Sequence, residues 1–119
     1  MGYCATSVKT DISWDLDRLP EVVGEGVSIA DARERVSEIL ESGGWEVEIY
    51  YPDASGGFID TVWFDGSVHV GTLDALESIA PIVDTGSAIF MKGDDDCFWA
   101  YYFTGSTCYE REAELVISR

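Results

Sequence analysis

Glu110, Glu112 and Glu114 occupy every second position near the end of the chain, so an extended strand would project all three carboxylates from one face, about 6.7 Å apart. Two nucleotides of a DNA strand span nearly the same distance, at roughly 3.4 Å each. A rigid row of carboxylates at that pitch can occupy sites that a basic groove reserves for phosphates. Glu46 and Glu48 repeat the pattern, with Tyr50 next on the same side. The competing reading is the ordinary one, in which glutamate simply dresses the solvent face of an antiparallel sheet. Asp94, Asp95 and Asp96, after Gly93, form the densest charge cluster. Three adjacent carboxylates could ligate a divalent cation, but the spaced D-x-D-x-D-G loop with its distal glutamate is missing. The expectation is a solvated hairpin tip that joins the partner-binding surface, with no metal and no cofactor assigned.

Other chemistry is weakly encoded. Asp60 or Asp65 near Tyr50 and Trp63 could act as an acid and base pair, yet among 23 Asp and Glu such a pairing arises by chance. No glycine-rich phosphate loop, GxSxG or HExxH occurs. Cys4, Cys97 and Cys108 make an odd count without CxxC spacing, which argues against a disulfide framework and a zinc site. Cys97 and Cys108 could still face each other across a hairpin. A thiol dyad with His69, the one histidine, is disfavoured because acidic surroundings raise a thiol's pKa. The expectation is a protein that is not an enzyme and has no catalytic residues; a small metal-dependent hydrolase using Asp94 to Asp96 is the rival from another class.

The elements that must position these carboxylates belong to one domain, residues 1–119, since two separate cores would each be marginal at this size. The formal charge is −16 at pH 7. Such a field attracts basic proteins and repels bare nucleic acid and anionic membranes. Disorder is not implied, because 46% hydrophobic residues, including 4 Trp, 6 Tyr and 5 Phe, supply enough apolar area to offset chain entropy. The apolar runs are only a few residues long, and MGYCATSVKTDISW has no basic region followed by a hydrophobic stretch; a cytoplasmic protein is expected.

Residues 3–12 alternate weakly, with Thr6, Val8, Thr10 and Ile12 on one side, and read as a strand. Residues 15–27 read as a loop. Ser28 and Asp31 form a shortened capping box, and Ile29, Ala32, Val36, Ile39 and Leu40 recur at helical spacing as far as Gly43-Gly44. Trp45, Val47, Ile49 and Tyr51 alternate with polar neighbours as a half-buried strand. A second strand over 58–64, a tight turn at Asp65-Gly66 and a third strand over 67–70 complete a meander. Thr72 caps a short helix that Pro81 stops. Strands over 87–92, 97–103 and 107–117 follow. In the last of these, Ala113, Leu115 and Ile117 are expected to face the core; Arg111 shares their parity, so it is expected near a sheet edge or paired with a carboxylate, since an unpaired buried guanidinium is costly. The aromatic run Phe98 to Phe103 packs on both faces, leaving one for a partner or a homodimer. The order β-α-β-β-β-α-β-β-β indicates an α+β fold, two helices against an antiparallel sheet.

The stretch from Leu76 and Pro81 through Gly93, Asp96, Trp99, Tyr102-Phe103 and Gly105 to Ala113-Glu114 resembles the carboxyl-terminal part of small acidic phage, prophage and bacterial proteins. The resemblance covers about a third of the chain and implies a ferredoxin-like α+β sandwich and a phage setting. Together these readings lead to an acidic, non-enzymatic inhibitor that mimics nucleic-acid phosphates. It would block a basic host defence protein such as a nuclease, in the anti-CRISPR or anti-restriction manner. An immunity protein against a basic nuclease toxin follows the same charge logic.

Overall fold

A computed structural model describes residues 3–48, 58–59 and 61–112. The strands are β1 (Tyr3–Asp11), β2 (Glu46–Glu48), β3 (Thr61–Trp63), β4 (Asp65–Val68), β5 (Ala88–Gly93), β6 (Phe98–Phe103) and β7 (Cys108–Glu112). The helices are α1 (Pro20–Val23), α2 (Ile29–Ser42) and α3 (Val70–Ile79), with 3-10 turns at Leu16–Arg18 and Ala80–Ile82. Five strands form an antiparallel sheet in the order β4-β1-β5-β6-β7, and β2 pairs separately with β3. The α+β expectation holds, but the ferredoxin-like order and the count of two helices do not describe this arrangement. A third helix, α1, lies in the segment read as a loop. Asp15 accepts from the Asp17 amide at 3.2 Å to start the preceding turn, Pro20 opens α1, and buried Leu19 and Val23 anchor both turns to the core.

Helix α2 forms where its periodicity places it. Ser28 Oγ accepts from the Asp31 amide at 3.2 Å, and Ala32, Val36 and Leu40 are buried on one stripe. Its carboxyl end meets the start of α3 at unusually close range. A Cβ on Gly43 would lie 2.6 Å from both Ala75 Cβ and Gly71 O, so glycine is required for the two helices to approach. The cap of α3 is His69, three residues before the expected Thr72. His69 Nδ1 accepts from the Gly71 amide at 3.0 Å, while Thr72 Oγ1 accepts from the His69 amide at 3.1 Å and donates to Gly43 O at 2.9 Å. Thr72 is fully buried and therefore serves as a tie between helices.

Trp45 sits at the centre of the core. Its ring packs edge-on against Phe64 at 5.0 Å and Tyr101 at 5.8 Å, and its indole N–H donates to Thr72 O at 2.9 Å. The expected three-strand meander stops after its first pair. Asp65 and Gly66 form no tight turn; they lie in β4, opposite Thr6 and Ala5 of β1. Tertiary pairing overrides the local turn propensity here. The Ser7 amide donates to Phe64 O at 2.8 Å and Ser7 Oγ accepts from the Phe64 amide at 2.9 Å, so the chain runs on along β1 with Phe64 buried. The same contact interrupts β1. Its register with β5 shifts between Ser7 and Lys9, and Val8 is 54% exposed instead of continuing the expected alternation.

Cys97 and Cys108 cannot pair. Cys108 lies opposite Phe103 and Cys97 precedes Phe98, so they sit at opposite ends of β6, and both are free thiols. With about 3.3 Å per residue the ends of that strand are some 17 Å apart, well beyond disulfide reach.

Trp45→Ala should lower the free energy of unfolding by about 3–5 kcal/mol, as for other buried large-to-small aromatic changes. Thr72→Val, which keeps the shape and removes the hydroxyl, should cost about 1–3 kcal/mol by leaving buried groups unpaired. Urea unfolding followed by tryptophan fluorescence and circular dichroism checks both.

Candidate functional site

The sheet has one face under the helices and one open to solvent. Ile89, Met91, Tyr101, Phe103 and Cys108 are buried on the core face, in register across β5, β6 and β7. Glu110 and Glu112 have the same parity as Cys108, opposite Tyr101 and Trp99. They therefore belong to the core face, at the edge strand where it emerges beyond α3, and both are exposed. The expected shared face for Glu110 and Glu112 is present. Arg111 stands on the edge strand β7, as expected, but its parity is that of the open face, opposite Ala100, and it is exposed, so it needs no buried ionic partner. Glu114, with Ala113, Leu115 and Ile117, lies outside the described residues, as does Tyr50.

The acidic turn lies next to this stripe. Glu112 lies opposite Trp99, next to the start of β6, so the end of β7 is beside the β5–β6 tip; Asp95, and to a lesser degree Glu112, raise the pKa of Cys97 there. Asp94, Asp95 and Asp96 are all exposed, but they are not equivalent. Asp95 Oδ1 accepts from Tyr3 Oη at 2.5 Å and from the Cys97 amide at 3.3 Å. Asp96 has a left-handed backbone (φ 63°) and lies 3.4 Å from Lys92 Nζ. The Asp94 amide donates to Cys4 O at 3.1 Å. The tip is thus laced to the start of β1. Gly93 makes this possible, because a Cβ there would overlap the Tyr3 ring, which also packs 5.9 Å from Trp99. The Tyr3–Asp95 bond pushes the tyrosine up to about 12 and holds the aspartate below its usual range. Among the described residues no group of His, Cys, Asp or Glu is arranged to hold a metal ion.

Glu46 and Glu48 are both exposed on β2, flanking half-buried Val47. They lie away from the β7 stripe, since β2 pairs with β3, which leads into the edge strand β4, while β7 forms the other edge. Four strand spacings of about 4.8 Å separate the two edges. What bridges them is the helical layer, because β2 packs against α2, α2 against α3, and α3 against β7. Asp31, Glu34, Glu38 and Glu41 of α2 and Asp74 and Glu77 of α3 are exposed on it. These helix acids were not among the expected site residues. The helical periodicity of α2 already places its four acids on the solvated side, so the missing step was the packing that sets them between Glu46 and Glu110. Arg18 is held elsewhere, pairing with Glu21 at 2.8 Å and donating to Gly105 O.

Chemically, this side of the molecule can offer carboxylates at fixed spacing to a polycation. Two of the thiols are poor nucleophiles: burial pushes Cys108 up to about 12, and Asp95 raises Cys97. The chain matches no family model, and no curated protein and no solved structure matches it. No helix among the described residues is long and apolar enough to cross a membrane.

The Tyr3–Asp95 bond carries a pH signature. A tyrosine whose folded pKa is raised stabilises the fold below pH 10, and that contribution is lost as pH rises through about 12. An aspartate whose folded pKa is lowered stabilises it above the ordinary carboxylate range, and that contribution is lost in acid. Tyr3→Phe should therefore be less stable than the parent at pH 7, and the difference should shrink at both extremes. Thermal unfolding from pH 3 to pH 12 checks this; a difference independent of pH would mean the bond is not made in solution.

Proposed function

We propose that this chain is a non-enzymatic inhibitor, encoded by a phage or mobile element and acting in the host cytoplasm. Its carboxylates stand in for nucleic-acid phosphates and occupy the basic groove of a nucleic-acid-binding defence protein, such as a CRISPR effector or a restriction nuclease. The observation that supports this reading is the run of exposed acids from Glu46 and Glu48, over α2 and α3, to Glu110 and Glu112. These acids stand on paired strands and packed helices, so their spacing is held before binding. Pre-organisation lowers the entropy cost of association, and a charge of −16 speeds encounter with a basic surface. At a two-residue repeat of about 6.7 Å, Glu110 and Glu112 match two phosphates along a strand.

An immunity protein that neutralises a basic nuclease toxin would use the same surface, and the identity of the captured partner separates the two. Immobilised protein should retain a basic nucleic-acid-binding protein from host lysate at low salt, and it should inhibit that protein's activity on nucleic acid.

The affinity should fall steeply between about 0.05 and 0.5 M salt, because exposed charges are screened within about 10 Å at 0.1 M. Replacing Glu110, Glu112 and Glu114 together with Gln keeps side-chain size and removes three charges, so the fold should persist while binding weakens. Surface plasmon resonance against the captured partner checks both. Affinity that is flat with salt and unchanged in the triple variant would assign binding to another surface.

A further inference from the structure

The open face of the sheet differs from the rest of the surface. Phe90, Phe98 and Tyr102 are half-buried there and Tyr109 is 42% exposed. Tyr102 packs 6.2 Å from Phe90 and 5.8 Å from Tyr109. Ala88 and Ala100 lie beneath these rings, both buried. Around the aromatics stand exposed charges of both signs. Lys9 is opposite Phe90, Arg111 opposite Ala100, and Lys92 opposite both Thr6 and Phe98; Asp11 is opposite Ala88, and Asp65 opposite Thr6. Three of the chain's seven basic residues are therefore on this face, whereas the helix side is mainly acidic.

We propose that the open face is the contact between two copies of this chain, in a two-fold dimer whose acidic helix sides point outward. Charge selects the occupant. Each copy carries −16, so a second copy can approach only where the acids are locally balanced, and bringing two helix sides together would oppose carboxylate to carboxylate. A two-fold contact must be complementary to itself, and a rim of Lys9 and Arg111 with Asp11 and Asp65 meets that condition. The aromatics run from the central strand β5 across β6 to the edge strand β7, with Lys9, Asp11 and Asp65 beside them on β1 and β4, and Tyr, Phe and Arg are the residues enriched in specific interfaces. From strand spacing and rise the face measures about 20 by 20 Å, about half the area per copy of a standard specific interface, so the dimer is a weak and reversible one. An aromatic sheet face with lysine and arginine could also stack nucleic-acid bases, but the overall charge repels phosphates, and the second copy is the better fit.

Sedimentation equilibrium of the full chain tests the proposal independently of any partner of the acidic side. A reversible monomer–dimer equilibrium is expected, tighter at about 0.5 M than at about 0.05 M salt, because screening relieves the repulsion between protomers. This is the opposite sign from binding a basic partner. Tyr109→Glu puts a carboxylate of each copy into the contact in place of an aromatic ring and should weaken the dimer about tenfold or more. Arg111→Asp, a change at an exposed position, should weaken it as well, and Glu110→Gln on the other face should not. Circular dichroism confirms that each variant folds. A chain that stays monomeric to about 1 mM protein at high salt overturns the proposal, as does a dimer indifferent to both Tyr109→Glu and Arg111→Asp. Binding of a single-stranded oligothymidylate by a monomer, lost in Tyr109→Glu, would overturn it in favour of nucleic acid.

Discussion

Between the end of α2 and the start of α3 the backbone carbonyl of Gly43 accepts from Thr72 Oγ1, and the carbonyl of Thr72 accepts from the Trp45 indole. Every donor and acceptor in this short chain is deep inside the protein, where an unpaired polar group costs far more than at the surface. The junction fixes three things together. It seats the Trp45 ring against Phe64 and Tyr101, it sets the two helices at the separation that Gly43 permits, and it starts α3 through His69. The sheet, the helical layer and the position of the surface acids all depend on it.

The separation of charge follows from that frame. Among the described residues the helices occupy one face of the sheet, so the alternation along each strand sorts residues between a helix side and an open side. Acids at the solvent stripe of α2 and α3 and at the two sheet margins outnumber the helix arginines on the first, while Lys9, Lys92 and Arg111 fall on the second beside Asp11 and Asp65. A chain of this net charge is destabilised by its own repulsion. Holding the acids on paired strands and packed helices limits how far the chain can relax that repulsion by moving them apart.

The acidic tip shows how a surface cluster can divide its work. Asp95 is committed to Tyr3 and the Cys97 amide and so holds the hairpin against the start of β1, while Asp96 lies beside Lys92 within the hairpin itself. Asp94 contributes its amide to the same lacing. The cluster is therefore structural as much as it is a source of field, and that follows from Gly93 leaving room for the Tyr3 ring.

Much of the fold was legible in the residues themselves: α2 from its cap and apolar stripe, the three closing strands from alternation and turn residues, and the paired placement of Glu110 and Glu112 from the two-residue period. These depend on local periodicity, which a chain carries wherever it folds. What remained hidden depends on distant partners. Asp65-Gly66 is a strong turn signal, yet β1 offers an edge and Ser7 captures Phe64, so the residues extend. Thr72 looks like a cap, yet the approach of Gly43 makes it a buried tie. The parity that groups Glu110 with Glu112 is a property of the strand, whereas the face on which they stand, and Arg111 on the other, is set by which side of the sheet the helices cover. Charge and periodicity were determined by sequence alone; the chain of neighbouring elements that links Glu46 to the helix acids and to Glu110 was decided only by tertiary packing, because no local interaction relates residues so far apart in the chain.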